Sequence, residues 1–173
     1  DDGTPLSEAV IKAKNKGFTE PDPRDDLSGM DIARKVLIIA REAGFALELS
    51  DVKIDSLLTD ELINCESVEA FMNQLPNLDE SIHELNQQAQ SESCVLRYIG
   101  SVSEHECSVK IVKVPAKSAL YSVKDGENAI SFYSQYYNPI PMVLRGYGAG
   151  ADVTAAGIFS DVMKILPSKS SFV

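Results

Sequence analysis

Residues 17–44 read GFTEPDPRDDLSGMDIARKVLIIAREAG, an acidic loop that runs directly into a helix. Pro21 and Pro23 exclude a regular helix from the start of this stretch and push the residues before them towards extended geometry. A helix is predicted from about Ser28 to Ala43, and Gly44 is placed to end it just past the C-cap. The stretch therefore predicts a stiffened loop followed by a long helix.

The segments around this stretch favour an α+β fold. Outside the loop and its helix, further helices are predicted at Thr4 to Lys16, Ser67 to Asn73, Asn77 to Gln90 and from Ala151 to about Leu166, and strands at Val95 to Ser101, Cys107 to Val114, Leu120 to Val123, Ala129 to Tyr133 and Pro141 to Arg145, with a weak one within residues 47–58. Gly126 favours a hairpin between residues 120–123 and 129–133. Helices, then strands, then one helix indicate a mixed or largely antiparallel sheet covered by helices.

Composition and charge exclude several classes of function. The chain has 173 residues, of which 44% are apolar and 24% charged, a profile typical of an ordinary globular protein with one domain. Its formal net charge of −10 disfavours binding to nucleic acid or to an anionic membrane surface. No apolar run approaches the roughly 18 residues of a membrane span. We therefore expect neither nucleic acid nor membrane as a partner.

The cysteines give no sign of a metal site. There are three of them, an odd number, and only two histidines, so no C-x-x-C pair and no zinc-binding spacing occurs. The residues concerned are Cys65, Cys94, Cys107, His83 and His105. We interpret the cysteines as free thiols in a reducing cytoplasm, and we predict no metal site.

Four carboxylates crowd into the loop, at Glu20, Asp22, Asp25 and Asp26. A loop stiffened by proline holds such groups in place at reduced entropic cost, which suits the capture of an ammonium group. The same acids can instead complement the N-terminus of the next helix, with Asp26 or Ser28 as its cap. Spacing alone favours the capping interpretation and leaves ammonium binding open.

Asp31 and Lys35 stand four residues apart, so their side chains are neighbours on a helix. One interpretation is a surface ion pair worth roughly a few tenths of a kcal/mol. The other starts from Val36 to Ala40, which is apolar throughout and predicts a helix buried on nearly all sides. The lysine would then face a pocket, where a partly desolvated amine held by a carboxylate prepares a proton donor. The sequence pattern favours neither the surface ion pair nor the pocket over the other.

A glycine-rich turn, Gly146-Tyr147-Gly148-Ala149-Gly150, joins the last predicted strand to the last helix. Glycines before a helix N-terminus can admit a phosphate or another group that approaches the backbone closely. The turn is not the G-x-G-x-x-G dinucleotide fingerprint, and spacing favours a tight strand-to-helix crossover instead.

The run from Gly17 to Lys35 resembles the signature of homoserine dehydrogenase, most closely the version fused to an aspartokinase in bacterial bifunctional enzymes. The resemblance continues at Val123 to Ala129 and at Arg145 to Gly157, and it is thin between about residues 50 and 110. It implies reversible hydride transfer between NAD(P) and L-homoserine, giving L-aspartate 4-semialdehyde, in the threonine and methionine biosynthesis of the cytoplasm.

By position, the resemblance assigns roles to residues of the loop and helix. Lys35 would be the proton shuttle at the substrate oxygen, and Asp31 would pair with it and help to bind the substrate. Glu20 and Asp26 would meet the substrate ammonium. Phe18 stands where many relatives have tyrosine, so no chemistry is assigned to it.

The resemblance also implies that residues 1–173 form a fragment of a catalytic domain. Its parts would be the acidic loop and catalytic helix at 17–44, a strand-rich dimerisation block at 95–146, and a glycine turn with the C-terminal helix at 146–166. NAD(P) would be bound mainly by a domain absent from this chain, with Gly148 and Gly150 near the nicotinamide end. The fragment alone should then be inactive, and the enzyme a homodimer or higher homo-oligomer. The alternative is a non-catalytic domain for oligomerisation or for binding an amino-acid effector.

Overall fold

The computed structural model describes residues 3–165 except positions 105, 125 and 149. The chain divides into two compact units, Asp1–Tyr121 and Ser122–Val173, here called the N-terminal and C-terminal units. Each combines helix with strand, so the predicted α+β class is confirmed.

The N-terminal unit contains six α-helices and three strands among its described residues. The helices are α1 (Leu6–Asn15), α2 (Arg24–Leu27), α3 (Met30–Glu42), α4 (Asp60–Ile63), α5 (Val68–Gln74) and α6 (Asp79–Ser91), and the strands are β1 (Lys53–Ile54), β2 (Cys94–Val102) and β3 (Cys107–Pro115). The sheet has the order β1-β3-β2 and is mixed, because β1 runs parallel to β3 and β2 antiparallel. The weak strand expected within residues 47–58 is thus reduced to two residues, preceded by a 3₁₀ turn at Leu49–Asp51.

Helix α3 is amphipathic, and the prediction that it is buried on nearly all sides is wrong. Ala33, Val36, Leu37 and Ala40 form its buried stripe, at the i, i+3, i+4, i+7 spacing of one helix face. They pack against Val52, Cys107 and Val109. Five consecutive apolar residues cover more than one turn, so one of them must point outward, and Ile38 is 62% exposed.

Two glycines let the backbone of α3 and strand β2 approach their neighbours closely. Gly29, the N-cap of α3, has φ +84°, and a Cβ there would lie 2.2 Å from the Tyr98 hydroxyl. Gly100 on β2 faces α3, where a Cβ would come within 2.1 Å of the side chain of Val36. Either position would be crowded by any larger residue, so the helix lies directly on the sheet.

A second core cluster joins α1 to the helices α4, α5 and α6. Phe71 and Leu75 are completely buried at its centre, with Val10, Leu58, Leu62 and Leu78 around them. Asp79, at the start of α6, accepts hydrogen bonds from the backbone nitrogen and the hydroxyl of Ser7 at 2.8 and 2.6 Å. This cluster supports the segment Ile63–Cys65 at the end of α4. Arg24, at the start of α2, donates hydrogen bonds to the carbonyl oxygens of this segment.

The C-terminal unit consists of β4 (Glu127–Phe132), β5 (Met142–Tyr147) and α7 (Ala151–Ile165), and β4 pairs antiparallel with β5. The hairpin predicted around Gly126 is therefore wrong. Residues 120–122 form turns and 120–123 contain no strand; the Arg97 guanidinium donates to the carbonyl oxygens of Leu120 and Tyr121 at 3.3 and 2.7 Å. The predicted end of the last helix, Leu166, lies outside the described residues.

The described part of the C-terminal unit buries no side chain. In the β4–β5 ladder, Ile130 faces Leu144 and Phe132 faces Met142, and all four side chains are exposed. Cross-strand partners lie on the same side of a sheet, so these residues form one apolar face. We call this set the apolar sheet face.

Candidate functional site

The predicted lysine–aspartate pair is present on α3. The Nζ atom of Lys35 lies 2.6 Å from a carboxylate oxygen of Asp31. The predicted desolvation is absent, since the Lys35 side chain is 62% exposed and that of Asp31 45%. The ion pair is therefore formed in the N-terminal unit, and both of its side chains are open to solvent.

Asp26 connects the acidic loop to this pair. It lies in α2, and its carboxylate accepts a hydrogen bond from the backbone nitrogen of Glu20 at 3.0 Å. Burial raises the pKa of Asp26, the hydrogen bond lowers it, the charges of Asp31 and Asp25 raise it further, and the charge of Lys35 lowers it. Taken together these causes raise the pKa of Asp26, and burial is the largest of them.

The remaining loop acids have different surroundings. The guanidinium of Arg24 binds Asp22 and holds the pKa of that carboxyl below its usual value. Glu20 and Asp25 are exposed. The loop therefore leaves Glu20 and Asp25 open to a ligand and Asp26 partly open, whereas Asp22 is already bound by Arg24.

The structure supports the capping interpretation only in part. Asp22 accepts a hydrogen bond at 3.0 Å from the backbone nitrogen of Arg24, the first residue of α2, but Asp26 does not cap α3. The N-cap of α3 is Gly29, and no side chain caps the helix. The Ser28 hydroxyl accepts a long hydrogen bond of 3.4 Å from the backbone nitrogen of Met30, while Asp26 turns to Glu20. The predicted cap at Asp26 is wrong, which leaves its carboxylate for another role.

The glycine turn supports the crossover interpretation at one position and leaves space at the other. A Cβ on Gly148 would lie 1.6 Å from the side-chain nitrogen of Asn128, so close packing within the C-terminal unit requires this glycine. Gly150 has φ +114° with nothing within 4 Å of its Cβ position, and its carbonyl accepts from Thr154 at the start of α7. Ala149 lies outside the described residues.

Among the described residues, no group of three or more His, Cys, Asp or Glu side chains is arranged to hold a metal ion. No helix of the described chain has the length and apolarity to cross a membrane. All three cysteines are free, and burial raises the pKa of the Cys107 thiol. His105 lies outside the described residues.

Sequence reasoning missed Arg24. Its guanidinium donates to Asp22 and to the carbonyl oxygens of Ile63 and Cys65, about 40 residues further along the chain. The local signal was available, because an arginine two residues after an aspartate across a proline can fold back onto that carboxylate. The contacts with Ile63 and Cys65 carry no sequence signal.

The described residues thus form an α+β fold with a lysine–aspartate pair beside an acidic loop. The homoserine dehydrogenase family model matches residues 1–163. The bifunctional aspartokinase/homoserine dehydrogenase of Haemophilus influenzae is 55% identical over 166 residues, which are 96% of this chain and 20% of that protein. The chain belongs to the homoserine dehydrogenase family.

Solved structures agree on the fold. A Candida auris protein of unknown function matches with a TM-score of 0.86 and 39% identity over 95% of this chain and 46% of its own. Homoserine dehydrogenase of Staphylococcus aureus, at 24% identity, shows the same fold with a TM-score of 0.68 over all of this chain and 40% of its own. The chain therefore spans about a fifth of the bifunctional relative and less than half of either solved protein.

Proposed function

We propose that this chain is the substrate-binding and catalytic part of an oxidoreductase that interconverts L-homoserine and L-aspartate 4-semialdehyde with NAD(P)(H). The observation that carries the proposal is the Lys35–Asp31 ion pair, at 2.6 Å, near the start of the helix that directly follows the acidic loop. An amine and several carboxylates together match a substrate that carries an ammonium group and exchanges a proton at its oxygen. Family membership supports the reaction type.

In this proposal each side chain has one task. Lys35 donates a proton to the aldehyde oxygen during reduction and takes it back from the alcohol during oxidation. Asp31 orients the amine through their ion pair, with the Lys35 Nζ atom 2.6 Å from its carboxylate. Asp26 and Glu20 bind the substrate ammonium by charge-assisted hydrogen bonds.

The nicotinamide cofactor would supply or accept the hydride, and we propose that a domain outside this chain binds most of it. Gly150 fits a close-approaching group, since it opens α7, a helix of 15 residues, and has free space at its Cβ position. Gly148 keeps this assignment from the resemblance, although its contact with Asn128 already accounts for a glycine.

We further propose a homodimer or higher homo-oligomer, formed through the apolar sheet face. Exposed apolar patches rimmed by polar residues are typical of interaction sites. The pathway would be threonine and methionine biosynthesis, and three free cysteines fit the reducing cytoplasm. The second candidate, a non-catalytic domain for oligomerisation or effector binding, is favoured by the solvent exposure of the Lys35–Asp31 pair.

Lys35→Ala in the full-length protein tests the catalytic proposal. We expect kcat for homoserine oxidation to fall by about 10³-fold, because general acid–base groups contribute roughly 10² to 10⁴-fold to the rate. The matched control is Lys12→Ala, which removes an equally exposed lysine from an i, i+4 pair with Glu8 on α1 and should leave kcat unchanged. Equal activity in the two variants would favour the non-catalytic candidate.

A further inference from the structure

One arginine ties the acidic loop to a distant part of the N-terminal unit. The Nε and Nη2 atoms of Arg24 donate to both carboxylate oxygens of Asp22, at 2.5 to 3.0 Å. Its Nη1 atom donates to the carbonyl oxygens of Ile63 and Cys65 at 3.2 and 2.7 Å. The ring centroid of Phe71, from the second core cluster, lies 5.8 Å from the guanidinium carbon.

This arrangement holds more tightly than an ordinary surface ion pair. The side chains of Arg24 and Asp22 are only 21% and 31% exposed, and Pro23 between them is fully buried. Ile63 is the last residue of α4, so its carbonyl has no partner within that helix and Arg24 supplies one. A planar fork of donors serves a carboxylate and two carbonyls at once, which the single ammonium of a lysine cannot reproduce.

Arg24 and Asp26 belong to the same four-residue helix, α2. The contacts of Arg24 therefore fix the place of Asp26, and through its hydrogen bond with Asp26 the backbone of Glu20 follows. We propose that Arg24 is a positioning residue that fixes α2 against the Ile63–Cys65 segment and so sets where the ammonium-binding carboxylates stand relative to Lys35. The inference rests on the proposed function, since it assigns a role within that site.

Arg24→Lys in the full-length enzyme tests this role through KM and kcat measured separately. We expect KM for homoserine to rise about tenfold, which corresponds to about 1.4 kcal/mol of lost binding, with kcat within about twofold of the parent enzyme. A purely structural role would reduce the amount of folded enzyme, which lowers the apparent kcat and leaves KM unchanged. Arg41→Lys is the matched control, because Arg41 also binds a carboxylate, that of Glu48, and a carbonyl oxygen, that of Leu47.

Asp22→Asn provides a second variant that keeps the arginine and weakens only its hold on the loop. It should raise KM in the same direction by a smaller factor, and it carries the test if Arg24→Lys does not fold. A KM equal to that of the Arg41→Lys enzyme, whatever the kcat, overturns the positioning role. Absence of homoserine oxidation by the parent enzyme would instead contradict the proposed function itself.

Discussion

In the N-terminal unit Phe71, Leu75 and Val109 are completely buried, whereas on α7 of the C-terminal unit Phe159 and Ile165 are 65% and 82% exposed. The first unit has a core of its own, and the proposed site is built on it. The described part of the second unit is a strand pair and a helix whose apolar side chains have no cover. Exposed apolar residues along a helix are typical of an interface, which fits the homo-oligomer proposed above.

Truncation of one phenylalanine in each unit gives the largest expected contrast. Phe71→Ala should lower the free energy of unfolding of this chain by about 3–5 kcal/mol, because it leaves a cavity in a packed core. Phe159→Ala should change it by less than about 0.5 kcal/mol, since little area is withdrawn from water there. Urea denaturation measures both. Similar losses in the two variants would show that α7 is packed in solution and would break the comparison.

A charge on the apolar sheet face tests whether that surface is a subunit interface. Leu144→Lys should weaken self-association of the full-length protein about a hundredfold, or about 2.7 kcal/mol, because an unpaired ammonium would be buried in the contact. Light scattering across a concentration series measures the change. Ile11→Lys places the same charge at an apolar residue on α1 that is 45% exposed, and it should leave the association unchanged. Unaltered assembly of the Leu144 variant would remove this face from the interface.

The smallest expected effect is a difference in how the free energy of unfolding depends on pH, between a variant of Asp26 in the N-terminal unit and a variant of Glu127 in the C-terminal unit. The folded pKa of Asp26 is raised, chiefly by burial, so its favourable contribution to stability is complete below the unfolded pKa and is lost as pH rises through the folded value. Asp26→Asn should therefore stabilise the chain at pH 7, by less than about 1 kcal/mol, and weaken substrate binding. The gain should disappear below about pH 3.9.

The contribution of Glu127 to stability has the opposite pH dependence to that of Asp26. The hydrogen bond with the Arg145 side chain lowers its pKa, so its contribution is present above the unfolded pKa and is lost as pH falls through the folded value. Glu127→Gln should accordingly destabilise the chain at pH 7 and lose its effect in acid. Unfolding free energies of the two variants measured from pH 3 to pH 8 check both signs. A stability loss in Asp26→Asn at pH 7 would contradict the burial of that carboxylate.

Local signals in the sequence predicted much of the N-terminal unit. Gly44, at φ +93°, ends α3 just past its C-cap, as a glycine in that conformation does. Strands β2 and β3 begin and end within one residue of the predicted bounds, because β-branched residues fill both. The Asp31–Lys35 pair also follows from spacing alone, since i, i+4 neighbours meet on any helix.

The features that sequence reasoning missed depend on residues far apart in the chain. Gly126 has the positive φ of a turn, but β4 pairs with β5, and the carbonyls of Leu120 and Tyr121 in the predicted first strand accept hydrogen bonds from Arg97. The apolar run from Val36 to Ala40 overpredicts the burial of α3, because the helix also carries polar residues within one turn of this run, such as Lys35 and Arg41. The raised pKa of Asp26 depends on how α2 lies against α3, which spacing cannot supply.

The contact between Gly100 and Val36 has a consequence for redesign of the substrate range. At this point the side chains of Val36 and Ile32 on α3 lie against the bare backbone of β2 at Gly100, so the spacing cannot be adjusted by enlarging residue 100. Variants that accept a longer or shorter amino alcohol should therefore be sought by altering the length and anchoring of the loop before α2. A library at positions 19 to 22 would explore new specificities, whereas one at positions 36 and 100 would return mostly unfolded protein.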